Sequence, residues 1–319
     1  MSIRIEQAER EDEEETDQWK MDKTQSIPTI DLSDFPREYE KLRKVCEEWG
    51  CFRVLNHKIP LELMQEMKRV VRSLLDLPME IKKRNEDVIA GSGYMAPSPK
   101  NPLYEALGLY DMASSQAVHN FCSQLDATPS QRETIEKYAQ AIHELMMDIG
   151  GKLAESMGLV GDYCKEWPCQ FRINKYNFTP EDVGSTGVQI HTDSGFLTIL
   201  QDDENVGGLE VMDRSGEFVA VDPFPGSLLV NLGDMAAAWS NGRFCNVTHR
   251  VQCKQATTRV SIATFLLGPK EAAIEPPPEL VDSEHPRLYV PFTYEEYRKL
   301  RLTTKLQAGE ALALVRTCS

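Results

Sequence analysis

The chain has 319 residues, of which 41% are hydrophobic, and a formal net charge of -15. That length holds one large domain or two small ones, with enough apolar content for a sizeable core and nothing fibrous or broadly disordered in its composition. The acidic balance excludes the basic stripe of a nucleic-acid binder, argues against anionic membranes, and comes with no apolar run near the roughly 18 residues of a membrane-spanning helix.

At the N-terminus, Glu6, Glu9, Glu11, Asp12, Glu13, Glu14, Glu15 and Asp17 crowd together. Such a block reads as a solvated tail over residues 1–26 or a frayed helix. It lacks the apolar stretch of a secretory signal and the basic character of a transit peptide, so the expected location is the cytoplasm, with the nucleus open. The segment Ser26 to Leu32 alternates like a strand, and Pro28 is taken as the start of the ordered part.

Residues 38–49 carry Tyr39, Leu42, Cys46 and Trp49 at helical spacing, and Gly50 ends the run. Cys51 to Asn56 reads as a short buried strand. A second helix fits residues 61–76, with Met64, Met67, Val71 and Leu74 on one face. Residues 131–158 form a long amphipathic helix through Ile135, Tyr138, Ile142, Met146, Ile149 and Leu153. From Gln170 the period changes. Apolar or alternating runs occupy 170–178, 188–191, 196–201, 208–212, 218–221, 227–231, 246–252 and 259–266, with turn signals between them. Many short strands so spaced indicate a sandwich or jelly roll. A final helix is expected around 293–302. The organisation read from this is an α+β chain: a helical region over 27–160 buttressing a β-rich domain over 161–319. The eight cysteines form no C-x-x-C pair and read as free thiols.

The chemistry concentrates in the β-rich half. His191 and Asp193 sit two apart at the end of an apolar strand, so both side chains aim to one side. His249 lies in another strand-like run. Two histidines and a carboxylate suit iron(II) with coordination positions left open. H-x-D alone reads more readily as a surface turn with a capping Asp, so the neighbouring strands matter. In Arg259 to Phe265, residues Arg259, Ser261 and Phe265 share one face, and Val260, Ile262 and Thr264 the other. An inward arginine needs a partner, and a dicarboxylate supplies one in bidentate geometry. Arg172, Asn174 and Tyr176 likewise share a face, either a polar cavity wall or the wet side of an edge strand.

Together, His191-Thr192-Asp193, His249, the R-x-S at 259–261, the N-x-Y at 174–176 and the run Trp49 to His57 resemble the plant-type 2-oxoglutarate/iron(II) dioxygenases. The resemblance spans about residues 27–297. It implies a double-stranded β-helix (jelly roll) core with flanking helices. It implies iron(II) on His191, Asp193 and His249, with 2-oxoglutarate held by Arg259, Ser261, Tyr176 and Asn174. Oxygen is the co-substrate, ascorbate a supporting reductant, and succinate and carbon dioxide the co-products. The stretches Gly91 to Pro97, Tyr104 to Asp111 and Gln201 to Glu210 are similar to the auxin-oxidising branch, which implies indole-3-acetic acid as substrate. A branch acting on alkaloids or other specialised metabolites is the alternative, and a non-catalytic jelly-roll binding protein a third. Asn177 to Pro180 and Lys58 depart from the family pattern and are expected to reshape the substrate entrance. Arg172 is a candidate for a substrate carboxylate, the other reading being a core salt bridge. Tyr94, Tyr104, Phe196 and Phe265 are candidate pocket walls. The partner expected is a small molecule, with no nucleic acid or membrane, and the chain is taken as a monomer.

Overall fold

The structure, a computed structural model, describes residues 27–99 and 101–317, so the acidic tail lies outside the described residues. Two sheets face each other. The larger has seven strands in the order β1 (Thr29–Asp31), β2 (Cys51–Leu55), β9 (Leu228–Leu232), β6 (Leu197–Gln201), β11 (Thr258–Leu266), β4 (Cys169–Asn177), β3 (Tyr104–Tyr110). The smaller runs β5 (Thr186–His191), β10 (His249–Gln252), β7 (Leu209–Met212), β8 (Phe218–Ala220). All pairings are antiparallel except β1 on β2. The eight strand runs expected after Gln170 are all present.

Period-two patterning decides what each face of the large sheet meets. Val260 and Ile262 of β11 join Phe171, Ile173, Ile199 and Val230 in a core under the helices. Ala263, Leu200, Leu229 and Tyr176 point the other way, into a second core with Leu209, Val211 and Val251 of the small sheet. Burying a side chain of this size is worth about 1.5–3 kcal/mol.

The helices are α1 (Tyr39–Glu48), α2 (Leu61–Leu75), α3 (Met79–Lys82), α4 (Ser115–Gln124), α5 (Pro129–Ser156), α6 (Asp234–Trp239) and α7 (Tyr294–Thr304). Thr128 and Gln131 form a capping box at the start of α5, and Thr293 and Glu296 do the same for α7. This reciprocal bonding satisfies amides that the first turn leaves without partners. The apolar face of α5 is buried as expected, and its Tyr138 hydroxyl donates to Gln201 Oε1 at 2.8 Å, tying the helix to β6.

The region before residue 160 is not only helical. It supplies β1, β2 and β3, which complete the large sheet at both edges. A sheet edge presents unpaired backbone groups, and these earlier segments pair with β9 and β4, the strands that would otherwise be the edges. β3 escapes sequence reading because it is buried along most of its length and carries Glu105, whose carboxylate meets Lys82 and the Tyr94 hydroxyl. α6 escapes because its six residues are all buried and show no amphipathic period. Seven cysteines are described and all are free. Among the described residues no helix is long and apolar enough to cross a membrane.

Candidate active site

β5 ends at His191 where β10 begins with His249, and the two are partners across the strands. Asp193 stands just beyond β5. Its Oδ1 lies 3.7 Å from His191 Nε2 and 3.8 Å from His249 Nε2. The three ligand atoms all fall within 4.8 Å of one another. His191 Nδ1–H donates to the Gln189 carbonyl at 2.8 Å, and His249 Nδ1–H to that of Val247 at 3.1 Å. Bonding Nδ1 in this way leaves each Nε2 lone pair for a metal. The Thr198 hydroxyl donates to Asp193 Oδ2 at 2.5 Å and so leaves Oδ1 free.

The electrostatics agree. Burial, with His249 acting in the same direction, pushes His191 down to about 4, so the ring is neutral near pH 7. Burial alone would raise Asp193, but His249, His191 and the Thr198 hydroxyl outweigh it and hold the carboxylate below its usual range. Gly233 lets this turn lie down: a Cβ there would come within 2.2 Å of the Gly195 carbonyl and 2.7 Å of that of Asp193.

A cavity of about 210 Å³ opens between the sheets, lined by the triad and by Tyr104, Arg172, Asn174, Tyr176, Asn231, Arg259, Ser261 and Phe265. Arg259 is 1% exposed. One of its amino groups meets Asp202, and the guanidinium carbon lies 5.0 Å from the centre of the Tyr176 ring. Its Nε and Nη1 are buried without a partner. Unsatisfied charged donors are costly, and a carboxylate entering the cavity would supply an acceptor to this guanidinium. Ser261 and Asn174 are joined at 3.4 Å, and Tyr104 donates to Asn174 at 2.7 Å. The residues therefore fit both iron(II) and a dicarboxylate co-substrate.

A second cavity, of about 330 Å³, shares Arg172, His191, Asp193 and Phe265 with the first and continues outward past Met95, Arg298 and Leu302. His191 and Asp193 stand where the two meet, and His249 faces the first. Arg172 is buried with no ion-pair partner among the described residues. It donates to the Gly91 carbonyl at 2.6 Å and the Tyr104 hydroxyl at 3.3 Å, and its Nη2 has no partner. The core-salt-bridge reading of Arg172 is therefore not what the structure contains.

Two expected pocket residues are elsewhere. Tyr94 spends its hydroxyl on Glu105 Oε1 at 2.6 Å and lines neither cavity. Phe196 is fully buried on the helix side, edge-on to Trp167 and Trp239 at 5.3 and 5.4 Å. It precedes the first residue of β6, so strand parity does not govern it. Phe265 and Tyr104 do line the cavity. Neither Lys58 nor Asn177 to Pro180 touches it; Lys58 occupies a left-handed turn (φ 64°) and Phe178 stacks under Tyr176. Sequence reasoning missed Thr198 and Asn231. Both are polar residues at inward positions of otherwise apolar strands, partnered across β6 and β9, and that interruption was the available signal.

The fold, the triad and the unpaired arginine donors define a non-haem iron oxygenase using a 2-oxo dicarboxylate. The family comparison agrees: residues 167–268 match the 2OG-Fe(II) oxygenase superfamily, and residues 27–107 match the N-terminal region described for the non-haem dioxygenase in morphine synthesis. The chain belongs to the 2-oxoglutarate/iron(II) oxygenase superfamily. Among its relatives, the 2-oxoglutarate-dependent dioxygenase DAO of Oryza sativa subsp. indica is 56% identical over 90% of this chain and 98% of its own length. The crystal structure of the rice dioxygenase for auxin oxidation superposes with a TM-score of 0.86 at 55% identity, covering 92% of this chain and 100% of that one. The Arabidopsis thaliana dioxygenase for auxin oxidation 1, in its binary complex with 2-oxoglutarate, gives 0.80 at 63% identity over 82% and 100%.

Proposed function

We propose that this dioxygenase oxidises a small aromatic acid, with indole-3-acetic acid (auxin) as substrate and 2-oxindole-3-acetic acid as product. Iron(II) with 2-oxoglutarate and oxygen supplies the oxidising power, at the expense of one 2-oxoglutarate converted to succinate and carbon dioxide. His191, Asp193 and His249 hold the metal. Arg259, whose Nη1 is buried without a partner, takes the far carboxylate of 2-oxoglutarate, with Ser261, Asn174 and Tyr176 completing that wall. Phe265, between the two cavities, supplies an apolar face for the ring.

The observation that carries the substrate reading is Arg172. Its unpartnered, buried Nη2 belongs to the wall shared by both cavities, beside the triad. A cation so placed awaits an anion, and the similar rice and Arabidopsis proteins are dioxygenases for auxin oxidation. The seven free thiols favour a reducing compartment such as the cytosol.

The test is succinate formation with a panel of indole, flavonoid and alkaloid substrates, using wild type and Arg172→Ala. Auxin should be turned over best, and Arg172→Ala should raise its KM about 10-fold or more, while the methyl ester of auxin is little affected. An equal effect on acid and ester would remove Arg172 from the reading. Faster turnover of a neutral flavonoid or alkaloid would remove auxin.

A further inference from the structure

Between the two ligands of the H-x-D segment lies Thr192, 1% exposed and held on every polar atom. Its N–H donates to the Gln307 carbonyl at 2.9 Å. Its carbonyl accepts from Arg301 Nη2 at 2.8 Å, and its hydroxyl oxygen from Arg301 Nη1 at 3.2 Å. Arg301 Nη1 also meets the Asp234 carboxylate. Asp234 is completely buried. It accepts from the Tyr297 hydroxyl at 2.7 Å and from Asn246 Nδ2 at 2.7 Å, and its N–H donates to the Asp193 carbonyl at 2.9 Å. One buried ion pair thus reaches the backbone on both sides of the His191–Asp193 turn. Through Asn246 it also reaches the segment that leads, three residues on, into His249. None of these residues supplies a ligand atom, and no bond inside β5 fixes Asp193, which stands beyond the last strand residue.

We propose that Asp234 and Arg301 are the positioning pair of the iron site, clamping the His191–Asp193 turn against α6 and α7 so that the three ligand atoms converge before metal arrives. The inference rests on the triad being the iron site. The guanidinium suits the task because its planar fork addresses a carboxylate, a hydroxyl and a carbonyl at once, which a lysine ammonium cannot do in one geometry. The same helix, α7, lines the outer cavity through Arg298, one turn before Arg301, and Leu302, the residue after it. The helix that borders the substrate space therefore also holds the metal turn.

The test uses the full chain with Co(II) as probe, read by its visible d–d bands, together with thermal melting of the metal-free protein. Arg301→Lys should bind Co(II) about 10–100-fold more weakly, the range for losing a group that orients metal ligands, with shifted bands. Thr192→Val keeps the shape of the side chain and removes only its hydroxyl; it should melt near the parent and lose about threefold in affinity. Tyr297→Phe touches Asp234 but not the turn. It should lower the melting temperature while keeping Co(II) affinity within about twofold. Parental affinity and spectrum in either Arg301→Lys or Thr192→Val would overturn the proposal, and so would an equal affinity loss in Tyr297→Phe. If Co(II) binds nowhere in the parent protein, it is the triad assignment that fails.

Discussion

His191 and His249 face one another as a cross-strand pair, the last residue of β5 against the first of β10, with ring centroids 4.2 Å apart. Antiparallel pairing brings directly opposed side chains within contact, so two residues far apart in sequence are delivered to one metal by sheet register alone. Asp193 then completes the set from the turn.

The first prediction follows from that register. His249→Ala removes one of three ligands and leaves no spare among the described residues, since His57, His119, His143 and His285 lie outside the cluster. Loss of a ligand should exceed the 10–100-fold cost of losing an orienting group. Succinate formation should fall by more than about 100-fold, with metal binding lost in the same variant. Residual iron binding close to wild type would contradict the site.

Arg259 should govern the co-substrate and not the substrate. Charge-assisted hydrogen bonds contribute about 1.5–3 kcal/mol each, and tenfold is about 1.4 kcal/mol. Arg259→Ala should therefore raise the KM for 2-oxoglutarate by roughly 10–100-fold, with much less effect on the KM for the organic substrate. Comparable changes in both constants would mean that Arg259 acts through the packing of the cavity as a whole.

Gly108 is where β3 meets the loop that seats Arg172. It is the register partner of Arg172, and a Cβ there would approach the Ser92 carbonyl to 1.9 Å. Backbone cannot yield as a flexible side chain can, and overpacking typically costs about 1–3 kcal/mol. Gly108→Ala should lower the melting temperature and, by lifting Gly91 away from Arg172, raise the KM for an acidic substrate. A stability loss with unchanged KM would show that the loop does not hold the arginine.

Lys68 gives a pH signature. Its ammonium donates to the carbonyls of Asp202 and Val260, both at 2.6 Å, beside the Arg259 pair. Burial pushes it down to about 8, against the opposing pull of Asp202 and Asp203. Between about 8 and the ordinary lysine value near 10.5 the unfolded chain holds a proton that the folded chain has released, so this group makes stability rise with pH across that window. The stability of wild type relative to Lys68→Met should climb from pH 8 to 10, by at most about 1.4 kcal/mol per pH unit. A flat difference across the window would show that the lysine stays charged in the folded protein.

Much of this was legible from the sequence. The polar-apolar alternation of Arg259 to Phe265 and of Arg172 to Tyr176 fixed which side chains would face inward, because strand periodicity is local and needs no knowledge of partners. The same rule paired His191 with Asp193, but Asp193 stands beyond the end of β5, so the turn brings the two together. The rule failed at Phe196, which sits just before its strand begins. It was silent on β3 and α6, whose burial along nearly their whole length erases any pattern.

Sequence by itself determined the residue types of the iron site and of the proposed dicarboxylate site, since H-x-D, a further strand histidine and R-x-S carry their chemistry in identity and spacing. Tertiary structure alone decided the rest. It set the pairing of β5 with β10, the roles of Thr198 and Asn231, and the lack of an acidic partner for Arg172. It also fastened the Asp193 turn to Asp234 and Arg301, two residues separated by α6, the two strands β10 and β11 with their turns, and the start of α7. Those facts depend on which distant segments meet, and a buried charge reveals whether it is satisfied or waiting only once its neighbours are in place.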